Sequence, residues 1–309
     1  MNFLMELLKS LEHSRAIQEN VNINPQWLAG FIEAEGHFHG KAGQQPHFSI
    51  SQHPADFKLM ESLSKYFDHG KVRLSVRPDG RSEAVYTIYS KDVLENKIIP
   101  LCSENFISTN KSLQFREWTK AHFPNYQSIA LPDPNKKIDP NWLVGFVDGD
   151  GSFYSLIHKT KDYKIGYQVQ TVFDIAQLDS ERGLLTRIGD QFFGSTQTWA
   201  KSKDTQHLRI MSKNGLVNYV EPFFDENKLL TRKEYDFLLW KEMLKTIKNK
   251  EHTTLSGLEK IKELRDLQNF YLGGSAAALQ IEPARKARGQ DRSNISSDIQ
   301  KLIDKKLNK

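Results

Sequence analysis

Cysteine is almost missing. Cys102 is the only one in 309 residues, so neither an intrachain disulfide nor a cysteine-cluster metal site is available. No stretch approaches 18 uninterrupted apolar residues, which speaks against a helical membrane span. There is no acidic excess either: 38 Asp and Glu stand against 43 Lys and Arg, a net charge of +5. Such a mixed but basic balance permits nucleic-acid binding without establishing it. The opening MNFLMELLKSLEHSR lacks the pattern of a secretory signal and the Arg and Ser content of a transit peptide. It reads as a short amphipathic helix with Phe3, Leu4, Leu7, Leu8 and Leu11 on one face. Aromatic residues are plentiful, with 18 Phe, 10 Tyr and 5 Trp, enough for packed cores and against a wholly disordered chain. The length suggests two compact units.

The chain repeats itself. NPQWLAGFIEAEG at 24–36 matches DPNWLVGFVDGDG at 139–151, pairing Trp27 with Trp142, Gly30 with Gly145, Glu35 with Asp150 and Gly36 with Gly151. The order continues: SISQ at 49–52 faces DIAQ at 174–177, Tyr66-Phe67 faces Phe192-Phe193, and IYSK at 88–91 faces IMSK at 210–213. Pro100, Lys111, Phe115 and Trp118 then face Pro222, Lys233, Phe237 and Trp240. An ordered series of this length means two copies of one unit. The expected division is an N-terminal helical segment at 1–23, a first unit at 24–122 and a proline-bearing linker at 123–138. A second unit with C-terminal helices follows at 139–272, then a basic tail at 273–309.

Within each copy the patterning gives helix, two strands, helix, two strands, helix: a mixed α+β unit of αββαββα order. Asn24 and Asp139 suit N-caps, Pro25 and Pro140 the first helical position, and Gly36 and Gly151 a left-handed stop. Each motif helix is then 11 residues. Two-residue alternation marks strands at 167–173 and 71–77, the latter with Val72, Leu74 and Val76 on one side. Helices are expected near 62–67 and 180–193, at 111–118 and 233–244, and in a stretch with Leu255, Leu258, Ile261 and Leu264.

The motif helices carry the chemistry. Gly30 and Ala34, like Gly145 and Gly149, lie four apart, so two helix backbones could approach closely and form the interface between copies. Glu35 and Asp150 each precede the terminal glycine, where the helix dipole is negative and a carboxylate is disfavoured. A divalent cation would relieve that repulsion, and carboxylate and carbonyl oxygens suit Mg²⁺. Glu35, Asp150 and the carbonyls of Ala34 and Gly149 are the expected ligands. Glu33 and Asp148 fall about 200° around the helix and point elsewhere. Asp148-Gly149-Asp150-Gly151-Ser152 also resembles the start of a calcium loop. That loop needs Gly sixth and Glu twelfth, whereas Phe153 and Lys159 stand there.

Alternation also nominates polar strand faces able to read bases, because Arg can grip guanine and Gln adenine. They are Ser49, Lys71, Arg73, Ser75, Arg77, Arg81 and Tyr86 in the first copy. In the second they are Gln168, Gln170, Asp174, Gln197, Lys201, Lys203 and Arg209.

LAGFIEAEG and LVGFVDGDG resemble the two signature motifs of double-motif LAGLIDADG homing endonucleases. The resemblance spans about residues 20–270. It implies motif helices at the interface, two curved antiparallel sheets on the DNA major groove, and catalytic metal binding by Glu35 and Asp150. It further implies a supporting Gln near the scissile phosphate, matched by Gln52 and Gln177, and assisting lysines, for which Lys111 and Lys233 are nearest and Arg232 a weaker match. The expected protein is a monomeric, Mg²⁺-dependent nuclease that cuts both strands of a long asymmetric double-stranded DNA site. It has no membrane association and is made within a mitochondrion or chloroplast. An intron maturase that binds RNA on the same fold is the alternative; a DNA-binding regulator is a third class, against which both retained acids argue.

Overall fold

The structure, a computed structural model, describes residues 21–77, 82–126, 129–195, 198–202 and 204–272. The expected N-terminal helix and basic tail, and Arg81, Gln197 and Lys203, lie outside the described residues. Contacts gather the chain into two units. Among the described residues, one runs to Phe146 and takes in Leu230–Arg232; the other comprises Val147–Leu229 and 233–272.

In the first unit, helix α1 (Pro25–Glu35) leads directly into β1 (Gly36–His39) and β2 (His47–Gln52). Helix α2 (Phe57–Phe67), β3 (Lys71–Val76) and β4 (Ser82–Ile88) follow. The sheet is antiparallel in the order β1-β2-β4-β3. Asn24 caps α1, its Oδ1 accepting from the backbone of Gln26 at 2.8 Å. Helix α2 begins five residues before the expected segment, because Pro54–Asp56 forms a lead-in turn. After β4 the patterning showed no helix, yet Lys91–Val93, a π-helical Leu94–Ile98 and α3 (Ile99–Asn105) run on continuously. The π turn closes with the Ile99 N–H donating to Leu94 O, one residue before Pro100, which has no N–H to continue the regular ladder. Helix α4 (Thr109–His122) ends the copy.

The second copy repeats this plan. Helix α5 (Pro140–Asp150) feeds β5 (Gly151–Lys159) and β6 (Tyr167–Leu178), then come α6 (Arg182–Phe193), β7 (Thr198–Ser202) and β8 (Thr205–Ile210), in the order β5-β6-β8-β7. Lys213–Gly215, a second π turn at Leu216–Val220, and α7 (Glu221–Glu226) precede α8 (Lys233–Lys248). Helix α9 (Leu255–Leu272) buries Leu258, Ile261 and Leu264 as its three-residue spacing predicts. Leu255 does not join them: it opens the helix and is 70% exposed.

Each core grows from one aromatic at the start of its first hairpin. Phe38 packs against Phe48, Phe115 and Trp118 with centroids 5.4, 5.2 and 5.1 Å apart. Phe153 packs against Phe173, Phe237 and Trp240 at 5.1, 5.3 and 5.5 Å. Ring contacts of this kind add about 0.5–1.5 kcal/mol each beyond area burial.

The glycines after the motif helices are not left-handed stops. Gly36 is extended, with φ −75° and ψ 142°, and Gly151 has no positive φ. The strand starts with no intervening turn, so the constraint is steric. A Cβ at Gly36 would sit 2.6 Å from Ile32 O, and one at Gly151 would sit 2.5 Å from Val147 Cγ1.

Candidate active site and nucleic-acid interface

Gly30 and Gly145 work as the small-residue argument requires. A Cβ on Gly30 would overlap the Trp142 carbonyl oxygen, and one on Gly145 would overlap the Trp27 carbonyl oxygen. Within the first unit, α1 therefore meets the first part of α5 backbone against backbone. Ala34 and Gly149 are half-buried near the ends of their helices.

At the end of α1, Glu35 is half-buried. Lys111, from the first turn of α4, donates its Nζ to Gly36 O at 2.8 Å. Glu33 turns the other way and is buried, its carboxylate accepting from the backbone N–H groups of Ile107 and Ser108. It thus anchors the start of the helix that carries Lys111. Gln52 accepts from the His53 backbone N–H at 3.2 Å.

At the end of α5, the Gln177 side-chain amide donates to Asp150 Oδ2 at 2.5 Å. Lys233 donates its Nζ to Gly149 O at 2.6 Å. The two lysines therefore hold carbonyls at different positions of their motifs: Gly36 corresponds to Gly151, not to Gly149. Arg232 donates its backbone N–H to Asp56 Oδ1 at 2.5 Å.

Register fixes the sheet faces, because directly paired residues share a side. In the first sheet Ile50 pairs with Tyr86, and Tyr86 with Val72, on the core side. Tyr86 is fully buried and its hydroxyl donates to His69 O at 2.7 Å, so it does not belong to the reading face. Burial raises its phenol well above the ordinary value. The alternation in β3 is real but does not separate buried from exposed: Leu74 and Val76 are exposed on the core side, since the edge strand runs past its cover. Ser49, Lys71, Arg73 and Ser75 do share the opposite face. Ser49 is buried there under His39, whose Nε2 lies 2.8 Å from Ser49 Oγ. Arg77, just past β3, pairs with Glu83 at 2.5 Å.

That face also carries residues the sequence reading passed over. His37, His39, His47 and Tyr89 form a stacked row, with successive centroids 6.0, 4.4 and 4.9 Å apart. Burial, then the charge of Lys111, lowers the His37 pKa; burial, then His47 and His37, lowers that of His39. The signal was available, since His37-Phe38-His39 alternates polar and apolar.

In the second sheet Gln168 and Gln170 are half-buried on the face opposite the core, opposite His158 and Leu156. Exposed Trp199 shares that face, being paired with His207. Lys201 falls at a backbone irregularity between Ala200 and Ser202. Asp174 lies on the same face but is not presented to a ligand: it is 7% exposed, and its carboxylate is engaged by His207, Arg209 and Tyr154.

The sequence model of the LAGLIDADG endonucleases matches residues 28–122 and 143–244. The chain belongs to the LAGLIDADG endonuclease family. It is similar to probable intron-encoded endonuclease 2 of Neurospora crassa, with 31% identity over 166 residues, covering 52% of this chain and 36% of that protein. A cox1 intron-2 protein of Schizosaccharomyces pombe is 28% identical over 242 residues, covering 77% of this chain and 70% of that one. The chain thus spans about a third of the length of that Neurospora relative. Among solved structures, the meganuclease I-SmaMI bound to uncleaved DNA in the presence of calcium ions aligns with TM-score 0.67 and 26% identity over 80% of this chain and 99% of that one. The meganuclease I-CpaMI bound to uncleaved DNA shares the LAGLIDADG fold at TM-score 0.67 and 22% identity, over 79% and 99%.

Proposed function

We propose that this chain is a site-specific homing endonuclease that makes a metal-dependent double-strand cut in a long, asymmetric DNA target. The observation that carries the reading is the same construction in both copies: a carboxylate at the last position of a motif helix, with a lysine ammonium donating to a carbonyl at that helix end. The intron-encoded relatives and the DNA-bound meganucleases support the substrate class.

The residues fit a hard divalent cation, Mg²⁺ in this proposal. Glu35 with the Ala34 carbonyl at one helix end, and Asp150 with the Gly149 carbonyl at the other, are the residues that would bind such a cation. The Gly149 carbonyl already accepts from an ammonium, so it is an acceptor suited to positive charge. Among the described residues no cluster of three or more His, Cys, Asp or Glu could hold a metal alone, so carbonyl, water and phosphate oxygens complete the set. When bound, the cation supplies an activated water and neutralises charge on the leaving oxygen. The chain's own groups do the positioning. Gln177 fixes the Asp150 carboxylate, and Gln52 stands at the matching place in the first copy. Lys111 and Lys233 offset the negative helix ends and place positive charge where the phosphorane develops it.

Lys71, Arg73, Ser75 and Arg77 on one sheet, and Gln168, Gln170 and Arg209 on the other, are the proposed DNA-facing set; Ser49, buried under His39, is left out of it. Because the faces differ, the target is not a palindrome. A single chain carries both copies, so the active species is a monomer. Its fungal relatives include a probable intron-encoded endonuclease, a cox1 intron-2 protein and a mitochondrial protein, which supports an organelle origin.

The test is a selection for cleavage from a randomised duplex library with Mg²⁺, followed by Glu35→Gln and Asp150→Asn on the selected site. Each substitution abolishes double-strand cleavage while binding in Ca²⁺ stays equal or tightens, because a negative group has been removed near phosphate. Full cleavage by either variant sinks the assignment. A preference for structured RNA over every duplex would move the chain to the maturase reading.

A further inference from the structure

The outer face of the second sheet holds a buried charged network with no counterpart at the matching positions among the described residues of the first sheet. Register places Asp174 opposite Arg209 in the central strand pair, with Tyr154 and His207 on the same face. The Asp174 carboxylate accepts from His207 Nδ1 at 2.9 Å, from Arg209 Nη2 at 2.9 Å and from the Tyr154 hydroxyl at 3.3 Å. A carboxylate only accepts, so His207 carries its proton on Nδ1. His207 is 5% exposed, and its Nε2 is buried with no hydrogen bond in the protein.

The matching positions of the first sheet are Ser49, His39, Val85 and Thr87, by the pairings Ile50–Tyr86 and Ile175–Leu208. The fold is therefore built at these positions without an ion pair. Burying one is costly, and well-packed apolar groups commonly do as well for stability. What the network adds is orientation. Arg209 Nε is buried and one Nη2 proton is committed to Asp174, while 29% of the side chain stays exposed. The donors left for a ligand are those of the Nη nitrogens, held in one plane. That is the geometry with which arginine grips guanine O6 and N7. A bare carboxylate on this face would repel phosphates, and its pairing with Arg209 removes that obstacle.

We propose that Arg209 reads a guanine within the half-site under the second sheet. Asp174, with His207 and Tyr154, is a positioning residue that fixes the guanidinium and makes no base contact of its own. The assignment rests on the DNA-binding reading above.

The experiment uses the full chain and its selected duplex. Equilibrium binding in Ca²⁺ is measured against every single base-pair substitution across the site, beside thermal unfolding of each variant. Arg209→Lys keeps the charge and loses the fork. The expected result is a loss of about ten- to hundredfold discrimination at one G·C pair, with the salt dependence and all other positions unchanged. Asp174→Asn keeps the size and removes the charge; it loses part of the discrimination at that same pair, and His207→Gln loses less. The proposal is overturned if Arg209→Lys leaves the preference profile intact, or if Asp174→Asn weakens every position equally. A wild-type protein that selects no duplex sequence at all removes the nuclease reading itself, and this inference with it.

Discussion

The two copies are alike at the motif helices and unlike at the tips of their hairpins. Gly36 pairs with Ile50 and Gly151 with Ile175, so the first strand leaves each motif helix in the same register. Beyond that point the first hairpin has strands of four and six residues in the first copy, but nine and twelve in the second. The second hairpin reverses the trend: six and seven residues in the first copy, five and six in the second, with an irregularity at Ala200. The difference separates two demands. On the proposed nuclease reading the helix ends have to hold a carboxylate in a fixed place, which a shared register secures. On the same reading the hairpins, which differ in length and in residues, would suit two different half-sites.

If that division holds, the largest effect should come from the shared part. Gly30→Ala and Gly145→Ala each drive a methyl group into a backbone carbonyl of the opposing helix. Neither can be relieved by a rotamer change, so each should cost about 3 kcal/mol or more. Urea denaturation measures this, and equal losses for the pair would mark the crossing as symmetric. Gly183→Ala is the control: nothing lies within 4 Å of its Cβ, and stability should stay level or rise by up to about 1 kcal/mol. A small loss at Gly30 would break the claim that this region is fixed.

A smaller effect, and one that distinguishes the copies, is expected from the lysines. Lys111→Ala and Lys233→Ala should each slow plasmid cleavage about ten- to hundredfold and let nicked product accumulate. Lys233 occupies the Gly149 carbonyl, a proposed cation ligand, whereas Lys111 occupies that of Gly36. Only Lys233→Ala should therefore lower the Mg²⁺ concentration giving half-maximal rate. The same metal titration for both variants would mean that the different carbonyl partners have no consequence.

The smallest effect belongs to the histidine row of the first sheet, which the second sheet replaces with Ser152, Tyr154 and Val172. His37 and His39 titrate below the ordinary 6.5 in the folded chain. The unfolded chain takes up those protons first, so free-protein stability falls as pH drops below 6.5 and has lost this contribution once the folded groups protonate. Nearby phosphates favour imidazolium, so DNA affinity should rise a few-fold over the same range. The gain should vanish in a His37→Gln, His39→Gln double variant, while base preferences under the second sheet stay as they were. A gain that survives the double substitution would place the titrating groups elsewhere.

Much of this was legible in the sequence because it depends on local rules. The repeat, the capped motif helices, the alternation of Phe38 and Phe48 with histidine, and the two terminal acids all follow from spacing. Other features were not. Tyr86 alternates like a reading residue, but the pairing of Ile50 with Tyr86 turns it into the core. The π turns before Pro100 and Pro222 have no periodic signal, because a single widened turn shifts the pattern by one residue.

By itself the sequence determined that there are two copies, that each motif helix ends on a carboxylate, and that small residues line one helix face. These are properties of adjacent residues, set by dihedral preference, capping and periodicity. Only the tertiary structure decided that Asp174, on the outer face of its sheet, is engaged by His207, Tyr154 and Arg209, and that Lys111 and Lys233 hold different carbonyls. Those groups lie tens of residues apart in the chain. Which of them meet depends on strand register and helix placement, and a shift of one residue in register would turn the side chains to the other face.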